Sequence, residues 1–196
     1  NCLRQERLPS IIGNRQSQPI GGFFISLHER NTRRIMNEKR RLLGMTLDEL
    51  KGVAFEAGLP GYAAKQMADW LYKKKVTSIA AMTNIASAKR ALLEKNFEVG
   101  AVPPSDLMKS VDGTIKYLYP AGPGNFVESV YIPTEDRATL CVSSQVGCKM
   151  NCLFCMTGKQ GFTKNLSANE ILNQIQSLPE TEELTNIVFM GMGEPL

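Results

Sequence analysis

The chain has 196 residues, 43% hydrophobic and 21% charged, enough apolar matter for a core and too much for a disordered polymer. No apolar run reaches the roughly 18 residues of a membrane span, which excludes a helical transmembrane protein. The formal charge of +4 is unevenly placed: six arginines face two acids in residues 1–35, eleven basic side chains face seven acids in 36–100, and six face ten in 101–196. A basic first half and an acidic second half point to separate tasks, with nucleic acid expected at the first.

Residues 1–35 show neither helical period nor strand alternation, and Met36 precedes the first periodic segment. They read as a leader outside the fold, with translation starting at Met36, or as a basic arm; His28 receives no role. Ile20 to Leu27 is apolar, but arginines follow it rather than a small-residue cleavage site, so it is a poor signal peptide. Five cysteines, Cys2, Cys141, Cys148, Cys152 and Cys155, are too few and too clustered for a secreted disulfide framework. The reading is a cytoplasmic protein with thiol or metal chemistry.

Thr46 followed by Glu49 is a capping box, and Leu47, Leu50, Ala54 and Ala57 repeat at helical spacing up to Gly58. After the turn at Pro60-Gly61, Ala64, Met67 and Leu71 predict a second helix ending at Lys73, Lys74 and Lys75, and a third runs from about Ser87 to Phe97. The first two resemble a helix-hairpin-helix element with Lys65 beside its turn; a plain helical hairpin with a solvated lysine face is the other reading. Residues 36–101 are therefore expected to form a basic helical RNA-binding domain, and the period changes to strand alternation after Pro103-Pro104.

Asp112-Gly113 predicts a hairpin turn. Strands are expected at Phe126 to Ile132 and Arg137 to Ser143, then a cysteine loop, a helix opened by the capping box Ser167 and Glu170 with Ile171, Leu172, Ile175 and Leu178 on one face, and a last strand Asn186 to Met190. That last run is continuously apolar, as for a parallel strand buried on both faces, so residues 137–190 predict a β-α-β unit.

Cys148, Cys152 and Cys155 form a C-x3-C-x2-C array directly after a strand. Close thiolates call for a soft metal or cluster. A zinc site with Cys141 as fourth ligand would make the chain a non-catalytic RNA-binding module; three ligands on a 4Fe–4S cluster would leave one iron open for chemistry. With Phe154 before the last cysteine, the array resembles the radical S-adenosylmethionine superfamily, and Gly191-Met-Gly193-Glu194-Pro195 is similar to that superfamily's cofactor-binding turn. The longer match, FVESVYIPTEDRATLCVSSQVGCKMNCLFCMTGKQGFTKNL and NIVFMGMGEPL, resembles the bacterial enzymes that methylate C2 of an adenine in 23S rRNA and tRNA; their C8-methylating resistance relatives share these motifs.

The resemblance implies Cys148, Cys152 and Cys155 as cluster ligands, Phe154, Gly193 and Glu194 as contacts to S-adenosylmethionine, Glu128 as general base, and Cys141 as the cysteine that resolves the covalent RNA intermediate. Alternation independently puts Glu128 on one strand face with Phe126, Val130 and Ile132, where partial desolvation is expected; an ordinary paired carboxylate is the alternative. The implied partners are 23S rRNA, tRNA and an electron donor such as a flavodoxin system, for a full-length monomer. The expected fold class is α/β: the helical accessory domain, then residues 102–196 as a truncated partial (β/α) barrel with a β-hairpin extension. Later barrel strands and a C-terminal methyl-carrying cysteine, which the family supplies beyond this point, are not in this sequence, so exposed sheet edges and inactivity of the chain alone are expected.

Overall fold

In the computed structural model, which describes residues 39–195, the capping box at Thr46 forms: its hydroxyl accepts the Glu49 amide at 3.3 Å, and Glu49 Oε2 takes the Thr46 amide at 2.7 Å. It opens α1 (Leu47–Glu56), which buries Leu50, Val53 and Ala54. The readings made for residues 1–35, His28 and a start at Met36 lie outside the described residues. Helix α2 (Ala63–Ala68) passes into a π-helical turn at Asp69–Lys73, where Lys74 donates to the Asp69 carbonyl, so the predicted stripe ends in a wider turn. Met67 and Leu71 are nonetheless both fully buried. Helix α3 (Ser87–Asn96) runs into a short strand.

Two features of this half escape pattern reading. Strands β1 (Arg40–Arg41) and β2 (Phe97–Glu98) pair in parallel, each too short to show a period. The charge face is also partly spent: Lys73 pairs with Asp69 at 2.8 Å, Lys75 with Glu182 at 2.6 Å, and Lys74 stacks over Trp70. Lys65 remains exposed.

The second half is built on a five-stranded sheet of order β3 (Asp106–Lys109), β4 (Ile115–Pro120), β5 (Phe126–Pro133), β6 (Ala138–Cys141) and, after β7 (Gln145–Gly147) and β8 (Phe162–Asn165), β9 (Asn186–Val188). Neighbours are antiparallel except β6 and β9, which pair in parallel as the β-α-β reading required. The predicted turn is present: Gly113 has φ +87 and Asp112 Oδ1 accepts the Thr114 amide. Strands β7 and β8 form a separate antiparallel pair around α4 (Met156–Lys159); β8 was not expected from sequence. The architecture is mixed α/β with an open sheet.

One sheet face carries Tyr117, Tyr119, Val127, Tyr131 and Leu140, buried against Ile171, Ile175 and Leu178 of the segment containing α5 (Ala168–Gln176). Two expectations need correction here. The run Asn186 to Met190 is not buried on both faces: Ile187 in β9 is 45% and Phe189 just after it is 53% exposed, and among the described strands only β6 pairs with β9. Helix α5 opens with its predicted capping box, yet its buried positions are the amides Asn169, Asn173 and Gln174 rather than Leu172. The amides are inside because backbone groups meet there: Asn169 donates to the Leu43 and Gly100 carbonyls, and Asn173 exchanges both hydrogen bonds with Val102.

Candidate functional site

The cysteine loop is anchored where β7 ends. Gly147 sits at φ +74, and a Cβ there would lie 1.7 Å from the Gly161 carbonyl oxygen, so only glycine lets the two strands close the base of the loop. The Cys148 amide donates to that same oxygen at 3.1 Å. Cys155 precedes α4 and follows a tight turn in which its amide donates to Cys152. The Gly158 amide beside its sulfur holds the Cys155 thiol below the usual range, outweighing desolvation, with Thr157 adding to the effect.

All three thiols are partly exposed. Among the described residues no three His, Cys, Asp or Glu side chains converge as a metal-ligand group. The loop therefore carries the three sulfurs on one short segment without gathering them in advance. Its donor chemistry, thiols with no interposed carboxylate or imidazole, suits an iron–sulfur cluster. Cys141 is placed elsewhere: it is on β6, burial pushes its thiol up, and the Met190 amide donates toward it. The four-thiolate zinc arrangement thus lacks its fourth ligand on the loop.

After β9 the chain makes the turn Gly191 to Pro195. Gly193 has φ +102, and a Cβ there would lie 2.5 Å from Gln145 Cβ. The Glu194 amide donates to Gln145 Oε1 at 3.1 Å, and the Met192 carbonyl accepts the amides of Ser144 and Gln145. A cavity of about 470 Å³ lies between this turn and the cysteine loop, lined by Gln145, Lys149, Met150, Glu194 and Pro195 among others. Its size falls within the range of small-molecule sites. Phe154, expected at the cofactor, is 91% exposed.

Glu128 and Cys141 share the less buried face of the sheet. Cys141 lies opposite Val130 on β5, and Glu128 is two residues further along the same strand face. Phe126, Val130 and Ile132 are on that face as alternation predicted, and Glu128 is partly covered there, its side chain 43% exposed and paired with Lys116 Nζ at 3.0 Å. The structure thus puts Glu128 and Cys141 on one sheet face, and Glu194 at the cavity.

Pattern reading missed the polar run Ser143, Ser144 and Gln145, which leads from β6 into β7, and Gln174 on α5. Polar residues, buried here, interrupting an apolar strand run were the available signal.

Residues 40–99 match the family described as the ribosomal RNA large subunit methyltransferase N-terminal domain, and residues 142–196 match the radical SAM superfamily. The chain is 81% identical over 161 residues to the "Probable dual-specificity RNA methyltransferase RlmN" of Parabacteroides distasonis, covering 82% of this chain and 47% of that protein. It is 65% identical over 161 residues to the protein of the same name from Bacteroides thetaiotaomicron, with the same coverage, 82% and 47%. A crystal structure of a radical SAM methyltransferase from Sphaerobacter thermophilus superposes with a TM-score of 0.72 at 38% identity, covering 80% of this chain and 48% of that one. The chain spans about half the length of the curated relatives it matches (47%), and it belongs to the RlmN family of the radical SAM superfamily.

Proposed function

We propose that this chain supplies the RNA-holding domain and the cofactor half of a methyltransferase that acts on C2 of adenine in 23S rRNA and in tRNA. The observation that carries the reading is the cavity bordered by the Glu194 turn and the cysteine loop, in a chain whose Glu128 and Cys141 share one sheet face. Cys148, Cys152 and Cys155 would hold the cluster, and Gly193 with Glu194 would hold the amino group of S-adenosylmethionine, with Phe154 as a further contact to the cofactor. When bound, the cluster and S-adenosylmethionine supply one-electron chemistry and the methyl group.

Glu128, in hydrogen-bonding contact with Lys116, takes the proton that leaves the adenine ring. Cys141 assists release of the methylated RNA. The helical half holds RNA through its backbone phosphates, and base recognition falls to the acidic half. The protein works in the cytoplasm as a monomer with a flavodoxin-type electron donor; among the described residues no helix is long and apolar enough to cross a membrane.

The test joins this chain to the C-terminal half of the Parabacteroides distasonis relative. Anaerobic reconstitution should give methylated adenine in a 23S rRNA fragment, and Glu128→Gln should abolish it. A joined protein that carries cluster and binds RNA yet leaves adenine unmodified overturns the proposal.

A further inference from the structure

Beyond strand β6 the chain stays bonded to the segment after β9 through the backbone of Val142, Ser144 and Gln145, and side chains add further bonds to the turn. Ser143 Oγ accepts the Met192 amide at 2.8 Å, and Gln145 Oε1 accepts the Glu194 amide at 3.1 Å, both at a separation of 49 residues. Cys141 and Met190 stand at the same offset, the Met190 amide donating toward the thiol. Alternate residues of one extended segment therefore meet alternate amides of the turn, in a parallel register where side-chain bonds alternate with the backbone bonds of Val142 and Met192.

Ser143 carries more than one of these contacts. Its hydroxyl also donates to the Glu128 carbonyl at 2.5 Å, which ties the turn to the strand holding the assigned base. Its own amide and carbonyl are both taken by the Gln174 side chain at 2.9 Å. Ser143 and Gln174 are fully buried, and the same helix, α5, reaches Leu43, Gly100 and Val102 through Asn169 and Asn173. A buried hydroxyl that accepts one bond and donates another fixes both partners, since either left alone would be an unpaired buried group.

We infer that Ser143 and Gln145 are positioning residues that seat the turn Gly191 to Pro195 for S-adenosylmethionine and hold it at a set distance from Glu128, with Gln174 locking the seat. The inference rests on the proposed role of Gly193 and Glu194. Ser143→Ala removes the bond to Met192 and the bond to Glu128 without adding bulk; Gln145→Leu removes the bond to Glu194 while keeping an aliphatic stem against Gly193.

The test has two readouts in the full 196-residue chain. Amide hydrogen exchange by NMR should speed up about fivefold to tenfold at Met192 in Ser143→Ala and at Glu194 in Gln145→Leu, with β4 and α3 amides unchanged. S-adenosylmethionine, titrated into the anaerobically reconstituted chain, should bind about tenfold more weakly to either variant at equal cluster content. If Ser143→Ala does not fold, Gln145→Leu alone decides the question by the same two measurements. Unchanged exchange at these amides overturns the seat, and a loosened turn with undiminished affinity overturns its link to the cofactor. A wild-type chain that holds cluster but binds no S-adenosylmethionine refutes the underlying role of Gly193 and Glu194, and the exchange arm still judges the seat.

Discussion

Lys116 Nζ lies 3.0 Å from Glu128 Oε1, reaching from β4 to β5 on the sheet face that also carries Cys141. Both side chains are more than 40% exposed, 42% and 43%, so their attraction is screened and contributes about 1 kcal/mol or less to folding. Lys116→Met should therefore leave the melting midpoint within a few degrees of wild type. In the joined protein, by contrast, it should lower the methylation rate by disturbing how the carboxylate is held. A thermal melt together with a single-turnover assay checks both halves of this expectation.

The three loop cysteines and Cys141 should separate cleanly on reconstitution. Replacing Cys148, Cys152 or Cys155 by Ala should each prevent formation of a brown, visibly absorbing protein, because three ligands leave none to spare. Cys141→Ala should keep the colour, since its thiol sits on β6 and faces Met190. Iron and sulfide analysis of the four variants tests this; a colourless zinc protein that needs Cys141 would refute it.

The amides of α5 should matter more than any apolar residue on that helix. Asn169→Leu leaves the carbonyls of Leu43 and Gly100 without their donor, and Asn173→Leu strands both backbone groups of Val102. Each lost set should cost about 1–3 kcal/mol. Urea unfolding should show the loss as a lower midpoint, whereas Leu172→Ala should change it less because Leu172 is not fully buried.

RNA binding should fall steeply with salt, as counterion release requires. Lys65 and Lys74 should contribute to it, and Lys75 should not, because its ammonium is engaged by Glu182 and Thr181. Filter binding of Lys65→Ala, Lys74→Ala and Lys75→Ala at two salt concentrations gives the answer. A strong loss for Lys75→Ala alone would contradict the assignment.

Alkaline pH should unfold the sheet early. Tyr131 donates to Glu183 at 2.6 Å, and this bond, with desolvation, pushes its hydroxyl up to about 12 from an ordinary 10.0. Tyr117 is raised too, by desolvation first and then by its bond to Glu180. A raised folded-state pKa means the contribution is complete below pH 10 and is lost as pH rises toward 12. Stability measured from pH 8 to pH 12 should be flat and then fall, and Tyr131→Phe should weaken the fall.

Local chemistry was legible in the sequence wherever it acts over a few residues. The capping boxes at Thr46 and Ser167, the turn at Asp112-Gly113 and the alternation that puts Glu128 beside Val130 all form as read, because each is decided by neighbours in the chain. The C-x3-C-x2-C array and the glycine-glutamate turn likewise carried the resemblance to the radical S-adenosylmethionine superfamily, and the longer match carried the family. Tertiary structure decided the rest. Apolarity of Asn186 to Met190 could not say that Ile187 is half-exposed in the described sheet, since burial depends on what stands on either side. Nor could the polarity of Ser143, Gln145, Asn169, Asn173 and Gln174 say that they lie inside. An amide or hydroxyl is stable in a core only where backbone groups from distant segments arrive to pair with it, and that meeting exists only once segments 31 or more residues apart in the chain have been folded together.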